Sequence, residues 1–474
     1  MDFPIFFLDF FGNRLLIAVI ASIHVFISHG LAVGAYPFVT LLEWWGWRKK
    51  DDEWDGLAYK ITFVLFVVTT SVGALTGVGI WLSTSLIAPF GIGSLLRVFF
   101  WAWFVEWFVF VIEVILIVVY FVTWKRMKEG ARKKIHIGIG VILSGFSWIT
   151  MVIITAILGF MMGSGGWPES RSLFSAIANP LYIPQLAFRT GYAMIIAGLL
   201  AWLLIFLFTG RKADIRRRAV RFVSTWVLAW VPLLVAGSIW YWNKAPEAMR
   251  ANIDVALVTQ RFAQWHETLA LIMAAAVAAI VVVALVGVIR PKMIPGIALL
   301  IPYVLGIWLL GHFERVREFI RKPYIIADYM YSNGVTLSEL PVFQRDGILP
   351  YATYVPSRSV TKGNMVKAGR DVFLLTCTRC HTTTGINGIV SKFNNLYGEE
   401  SWDTDAMTAF IHTMHISRTF MPPFPGNDRE AEALVAYLNS LRSKPELIVD
   451  AHSGWGERAS GGALSTSNPD EGGP

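Results

Sequence analysis

Apolar runs long enough to cross a hydrocarbon core of roughly 30 Å recur along the first two thirds of the chain. They lie at about 14–43, 60–87, 95–123, 135–162, 184–209, 220–242, 266–289 and 293–313. Short polar connections separate them, which predicts a bundle of eight transmembrane helices. Past residue 313 the pattern changes. Residues 314–364 read as a polar connector punctuated by Pro323, Pro341, Pro350 and Pro356. A compact helical module is expected over 365–445. "KAGRDVFLLTCTRCH" reads as one of its helices, and "REAEALVAYLNSLR" as another, with Leu434, Tyr437, Leu438 and Leu441 on one side. Residues 446–474 are rich in Gly, Ser and acidic side chains without apolar periodicity, the signature of a disordered tail. The expected architecture is therefore all-α: a transmembrane domain over 1–313, the connector, and a small helical domain.

Composition agrees with a membrane protein. The 474 residues are 55% hydrophobic and only 16% charged. The first span exceeds the length of a signal-peptide core and contains His24 and His29, so it is expected to be a true helix rather than a cleaved leader. Charge sets the orientation. Arg48, Lys49 and Lys50 follow span one; Lys125, Arg126, Lys128, Arg132, Lys133 and Lys134 follow span three. Arg211, Lys212, Arg216, Arg217 and Arg218 follow span five, and Arg290 and Lys292 follow span seven. The alternate connections are poor in Lys and Arg. The positive-inside rule then places both termini, and everything past about 314, outside the cytoplasm of a bacterial inner membrane. The net charge of +8 consists mostly of these anchors, which argues against a nucleic-acid partner.

The only two cysteines stand in "LLTCTRCHTTTG", a Cys-x-x-Cys-His signature of covalent c-type haem attachment. Haem is joined to thiols outside the bacterial cytoplasm, the side on which the loop charges place this stretch. A disulfide between residues three apart would leave His381 unexplained. Forty residues after His381 comes "SRTFMPPFPG", where proline stiffens the loop carrying Met421. Helix with attachment motif, methionine loop and closing helix resembles a class I cytochrome c over about 365–443. The resemblance implies Cys377 and Cys380 as thioether sites, His381 as proximal ligand and Met421 as sixth ligand. Ordinary core packing is the alternative for Met421, and Met414, His412 and His415 are nearby competitors outside the proline-braced loop. A His/Met pair implies electron transfer at this single haem c.

Ionisable groups within the spans are costly and point to function. Span three carries Glu106 and Glu113, seven residues apart, which puts both on one helix face about 10 Å apart along the axis. They must face a protein interior holding protons, metal or cofactor, or else be satisfied by neighbouring hydroxyls. Span eight ends in "GHFERVREFIRKPYII", either a solvated juxtamembrane helix or a source of arginines for haem propionates. His29 lies five residues from His24, about 140° around an α-helix, so it is expected either to bind another haem or to bond within the bundle. His312, near Glu314, is ambiguous, and His136 is expected to be interfacial.

The order of these features over about 10–325 resembles the large subunit of cytochrome bd-type oxidases. The matching positions are His24 in "SIHVFISHG", the glycine-rich "GALTGVGIWLSTS", Glu106 and Glu113, "GFMMGSGGWP", Asn179-Pro180, and "EFIRKPY" with Glu318, Arg321, Pro323 and Tyr324. The resemblance implies a paired-haem site near the outer face. His24 would be an axial ligand, Glu106 a ligand or neighbour of the oxygen-reactive haem, and Glu113 a group for proton delivery or the second haem. Glu318 and Arg321 would support the pair. Haem b is implied, with haem d or a second haem b beside it. Three departures stand out. Arg189 replaces the fifth-helix histidine of the family's low-spin haem. Its seventh-helix methionine partner has no match, although His266 lies nearby. The long loop associated with quinol oxidation is reduced to about 243–265.

Two functions follow as expectations. One is a bd-like oxygen reductase exchanging electrons through its own haem c with a periplasmic cytochrome c or other redox protein. The other is a non-catalytic electron-transfer subunit linking the quinone pool with periplasmic cytochromes. Further membrane subunits are expected in either case, since members of the family pair with a homologous second chain.

Overall fold

The computed structural model describes residues 3–209, 213–258 and 264–443. Arg211 and Lys212 among the expected inner anchors, and the tail over 446–474, lie outside the described residues. The described residues form two compact units: those within 17–337 together with 418–422, and those up to 16 together with 338–417 and the segment from 423 onward.

Among the described residues, eight helices are long and apolar enough to span a membrane. They are α1 (Asn13–Lys49), α2 (Asp52–Ile87), α3 (Pro89–Thr123), α4 (Gly130–Met162), α5 (Tyr182–Thr209), α6 (Asp214–Lys244), α7 (His266–Ile289) and α8 (Ile297–Ile320). Between lipid-soluble helices burial of apolar surface supplies little association, so close packing across small residues must do it. Helix α5 occupies the centre, with Ala193, Ala197, Leu199, Ala201 and Trp202 all buried. It meets α6 almost backbone to backbone. A Cβ added at Gly191 would lie 2.7 Å from the Leu234 nitrogen, and one at Gly237 would lie 2.5 Å from that of Phe188. Any side chain there would force the two helices apart.

Helix geometry is interrupted at two neighbouring places. Phe26–Gly34 in α1 and Thr69–Gly73 in α2 are π-helical, a widened turn that often marks functional positions. The α-helical spacing used to separate His24 from His29 therefore does not hold across this stretch. Helix α3 is kinked at Phe99, whose ψ of 24° departs from helical values. Its outer face carries Trp101, Phe104, Trp107 and Phe108, exposed as lipid-facing residues should be.

The expected connector over 314–364 is divided. Glu314, Arg317 and Glu318 lie on α8, which continues to Ile320. A two-stranded hairpin follows, β1 (Tyr324–Ile326) with β2 (Met330–Tyr331), and the chain belongs to the membrane unit through Leu337. The helix continues because Glu314 and Arg317 satisfy one another one turn apart, at 2.9 Å.

The smaller unit contains α9 (Leu340–Asp346), α10 (Met365–Thr376), α11 (Ile389–Tyr397), α12 (Thr404–Ser417) and α13 (Asp428–Ser443). Helices α10 and α13 cross at Gly369, where a Cβ would fall 1.8 Å from the Ala433 carbonyl oxygen. The Phe373 and Tyr437 rings lie 5.6 Å apart at this crossing, and Ala368, Val372, Leu434 and Leu438 are buried on the same two helices. The buried Glu430 carboxylate accepts from the Ile348 and Leu349 nitrogens at 2.8 and 2.9 Å, tying the segment after α9 to α13.

Candidate haem sites

Helix α10 ends at Thr376, and a tight turn beginning at Cys377 carries the motif onward. The Cys380 and His381 nitrogens both donate to the Cys377 carbonyl, at 3.1 and 2.9 Å. Both cysteines are free thiols, and burial pushes the Cys377 thiol up to about 11. The imidazole of His381 is oriented from behind. Its Nδ1 stands 3.3 Å from the Asn387 carbonyl, an acceptor that favours the proton on Nδ1 and leaves Nε2 available to a metal. Asn387 holds the left-handed backbone conformation, φ 62°, and its amide donates to the Cys380 carbonyl at 2.6 Å. Desolvation first, with Lys392 and Arg14 adding to it, lowers His381 to about 4. The ring is thus unprotonated at neutral pH, the form in which an imidazole can bind a metal. Two thiols and a tautomer-fixed imidazole within one turn fit covalently attached haem.

Met421 belongs to the five-residue segment Arg418–Pro422 that groups with the membrane unit. There the neighbouring Phe420 ring packs on Phe319 of α8 at 5.3 Å. The Met421 nitrogen closes the segment's turn on the Arg418 carbonyl at 2.7 Å.

In the membrane unit, His24 Nδ1 lies 3.2 Å from the Thr76 hydroxyl. That hydroxyl gives its hydrogen to backbone carbonyls of Val72 and Gly73, so it receives one from Nδ1, leaving Nε2 for a metal. Gly77 lies against the ring, and a Cβ there would approach His24 Cε1 to 3.2 Å. An oriented imidazole beside a glycine-rich helix face fits an axial haem ligand. The two α3 carboxylates differ. Glu113 is buried and accepts from the Ser147 and Thr150 hydroxyls at 2.6 and 3.0 Å. Glu106 is half-buried. An apolar pocket of about 270 Å³ opens on the same helix, lined by Trp101, Ala102, Val105, Ile153, Ala156 and others. At the end of α8, Arg321 Nη2 donates to Glu318 at 2.7 Å and Nη1 to the Ile325 carbonyl at 3.1 Å, while its buried Nε has no partner.

The fifth-helix position is closed. Arg189 is fully buried, with Nη1 3.1 Å from both His29 Nε2 and the Tyr192 hydroxyl, and Nη2 3.2 Å from Glu314. Arg317 completes the network on the other Glu314 oxygen at 2.9 Å. His29 stacks on Tyr192 at 5.4 Å, and its Nδ1 meets Ser28 at 3.0 Å. A guanidinium cannot bind iron, both nitrogens of His29 are engaged, and the α5–α6 contact at Gly191 and Gly237 leaves no slot. These residues do not fit a haem. His29 is a hydrogen-bonding residue of the bundle.

One cluster had only a faint sequence signal. His136, expected at the interface, is completely buried, and its Nδ1 lies 2.6 Å from Glu43. Tyr120 donates to the same carboxylate at 2.7 Å. Lys133, counted among the inner anchors, bridges Glu43 and Asp55 at 2.6 and 2.5 Å and is 2% exposed. Glu43, an acidic residue at the end of an apolar span, was the available sign.

Comparison with known proteins agrees with both halves. Residues 364–438 match the family described as cytochrome c oxidase, cbb3-type, subunit III. The structure is similar to that of bd oxidase from Geobacillus thermodenitrificans, with a TM-score of 0.56 and 16% identity, covering 67% of this chain and 89% of that one. No curated protein matches the sequence. The chain thus joins a bundle of bd-oxidase fold, with eight helices long and apolar enough to cross a membrane, to a cytochrome c domain.

Proposed function

We propose that this chain is a bd-like oxygen reductase of the bacterial inner membrane that exchanges electrons with a periplasmic cytochrome c through its own haem c. The observation that carries the reading is the oriented His24 imidazole in a bundle whose α3 presents Glu106 and Glu113 while the Arg189 network closes the fifth-helix haem position. With that position filled, the cytochrome c domain is the remaining port for electrons. Loop charges support placing the domain and both termini on the periplasmic side.

Cys377 and Cys380 would form the thioethers, and His381 Nε2 and Met421 Sδ would be the protein's ligands to the iron of haem c. In the membrane unit His24 would bind haem b, and Glu106 would stand at the oxygen-reactive group, a second haem b or haem d. Bound haem supplies an electron store and an iron open to dioxygen. The protein's share is protons and placement. Glu113 can hold a proton between its carboxylate and the Ser147 and Thr150 hydroxyls, and water formation takes up a proton with each electron. Glu318 neutralises Arg321, whose unpartnered Nε suits a propionate oxygen.

The test follows the absorption spectrum of reduced, solubilised protein on exposure to carbon monoxide and to oxygen. A ligand-sensitive b or d haem with oxygen uptake is expected, and Glu106→Ala should abolish that signal while sparing haem c. A spectrum without any ligand-sensitive haem would falsify the reductase and leave a non-catalytic subunit between the quinone pool and periplasmic cytochromes.

A further inference from the structure

The segment preceding the first transmembrane span has no part in the chemistry so far, yet within the smaller unit it is built against the haem attachment loop. Asp9 is 3% exposed, and its two carboxylate oxygens take the backbone nitrogen and the hydroxyl of Thr383, more than three hundred residues away in sequence. The Phe10 carbonyl accepts from the Ile386 nitrogen at 3.1 Å. Gly385 allows this approach, since a Cβ there would lie 2.3 Å from the Asp9 carbonyl oxygen and 2.2 Å from that of Phe10. Gly12, at φ 84°, passes Thr382 with Cβ room of 3.3 Å.

The segment has a shape of its own. Asn13 accepts from the Leu8 nitrogen at 3.0 Å and donates to the Phe6 carbonyl at 2.7 Å, and the Phe7 ring meets Phe373 of α10 edge-on at 6.2 Å. Packing of a terminal stretch needs none of the buried carboxylate. Burying a charge is costly unless its hydrogen bonds are supplied, and both oxygens here are spent on one residue of one loop.

That loop orients the proximal ligand. It runs from His381 to Asn387, whose carbonyl fixes the His381 tautomer. Thr382 and Thr383 hold the far side of the loop by accepting from the Ile389 and Val390 nitrogens at 2.8 and 3.1 Å. We propose that residues 6–14 are the proximal wall of the haem c site and that Asp9 is a positioning residue, acting on His381 through Thr383 and the loop to Asn387. The inference rests on the assignment of His381 as a haem c ligand.

The sign of the effect is set by chemistry. A hydrogen bond from Nδ1 to a carbonyl makes the imidazole a more basic ligand, and a nearby carboxylate favours the more positive iron. Both stabilise the ferric form. Loosening the loop and removing the carboxylate act together, so the haem c potential should rise.

The experiment is a redox titration of the haem c absorption in the full-length membrane protein, with covalent attachment confirmed by haem staining. Asp9→Ala should shift the potential upward by on the order of tenfold in the ferric-to-ferrous ratio, about 59 mV for one electron. Thr383→Val keeps the backbone hydrogen bond and should shift it less in the same direction. The double variant should match Asp9→Ala rather than the sum. An unshifted potential in Asp9→Ala with haem attached overturns the proposal. Should Asp9→Ala fail to attach haem, an unshifted Thr383→Val does the same. Neither result depends on reactivity toward oxygen, so this inference and the reductase reading fail separately.

Discussion

Replacing Arg189 by leucine tests whether the fifth-helix position is a closed polar network rather than a haem site. The change strands His29 Nε2 and the Tyr192 hydroxyl and takes from Glu314 one of its two guanidinium partners. Each buried group left unsatisfied costs about 1–3 kcal/mol, and removing one partner of a buried ion pair about 3–5 kcal/mol. Glu314 keeps Arg317 at 2.9 Å, so the ion-pair cost falls at the low end. His29 and Tyr192 remain stacked on one another at 5.4 Å and can share a water. A net loss of about 3 kcal/mol is expected, roughly a hundredfold in the folded-to-unfolded ratio. Denaturant unfolding in mixed micelles, followed by tryptophan fluorescence, measures it. Arg189→Leu with Glu314→Leu should not recover the loss, because Arg317 then becomes the buried charge without its partner. The reduced-minus-oxidised haem spectrum should be unchanged in both variants. A loss under about 0.5 kcal/mol would mean that water already reaches the network. Disappearance of a low-spin b-type signal in Arg189→Leu would refute the reasoning outright, since the position would then adjoin a haem.

Three further outcomes follow from local geometry. Gly77→Val places branched carbon where even a Cβ approaches His24 to 3.2 Å, and it should remove the membrane-haem absorption while haem staining of the cytochrome c domain persists. Gly369→Ala drives a methyl group to 1.8 Å from the Ala433 carbonyl oxygen. It should reverse that selectivity, with haem c lost on stained gels and the membrane-haem spectrum retained. Lys133→Met leaves Glu43 and Asp55 without their shared cation and should cost about 3–5 kcal/mol in the same unfolding assay, whereas Lys134→Met should stay within about 0.5 kcal/mol.

What could be read from the sequence follows the length scale of the interaction. The eight spans were legible because crossing a bilayer demands a long unbroken apolar run. The Cys377, Cys380 and His381 motif stood out because covalent attachment, as proposed, would compress a haem site into five residues. The helical end of α8 was legible but its burial was not, because a charged stretch reads as solvated until Glu314 is seen bonded to both Arg317 and Arg189. His29 shows why angular arguments along a helix can fail: the π-turn at Phe26–Gly34 alters the register on which the 140° separation depends. Lys133 failed for a related reason. Counting basic residues treats every lysine near a membrane boundary as a solvated anchor, but Glu43 and Asp55 come from other helices and draw this one into the bundle. Lys134, its neighbour in sequence, lies over the exposed rim on Trp47 at 5.7 Å. One position along a helix turns a side chain by about 100°, enough to separate a buried bridge from a surface anchor. Asp9 is the extreme case, since nothing near it in the sequence announces Thr383. A carboxylate before an apolar helix reads as an ordinary surface charge, and only the folded smaller unit turns it into a contact with the loop after the Cys-x-x-Cys-His motif.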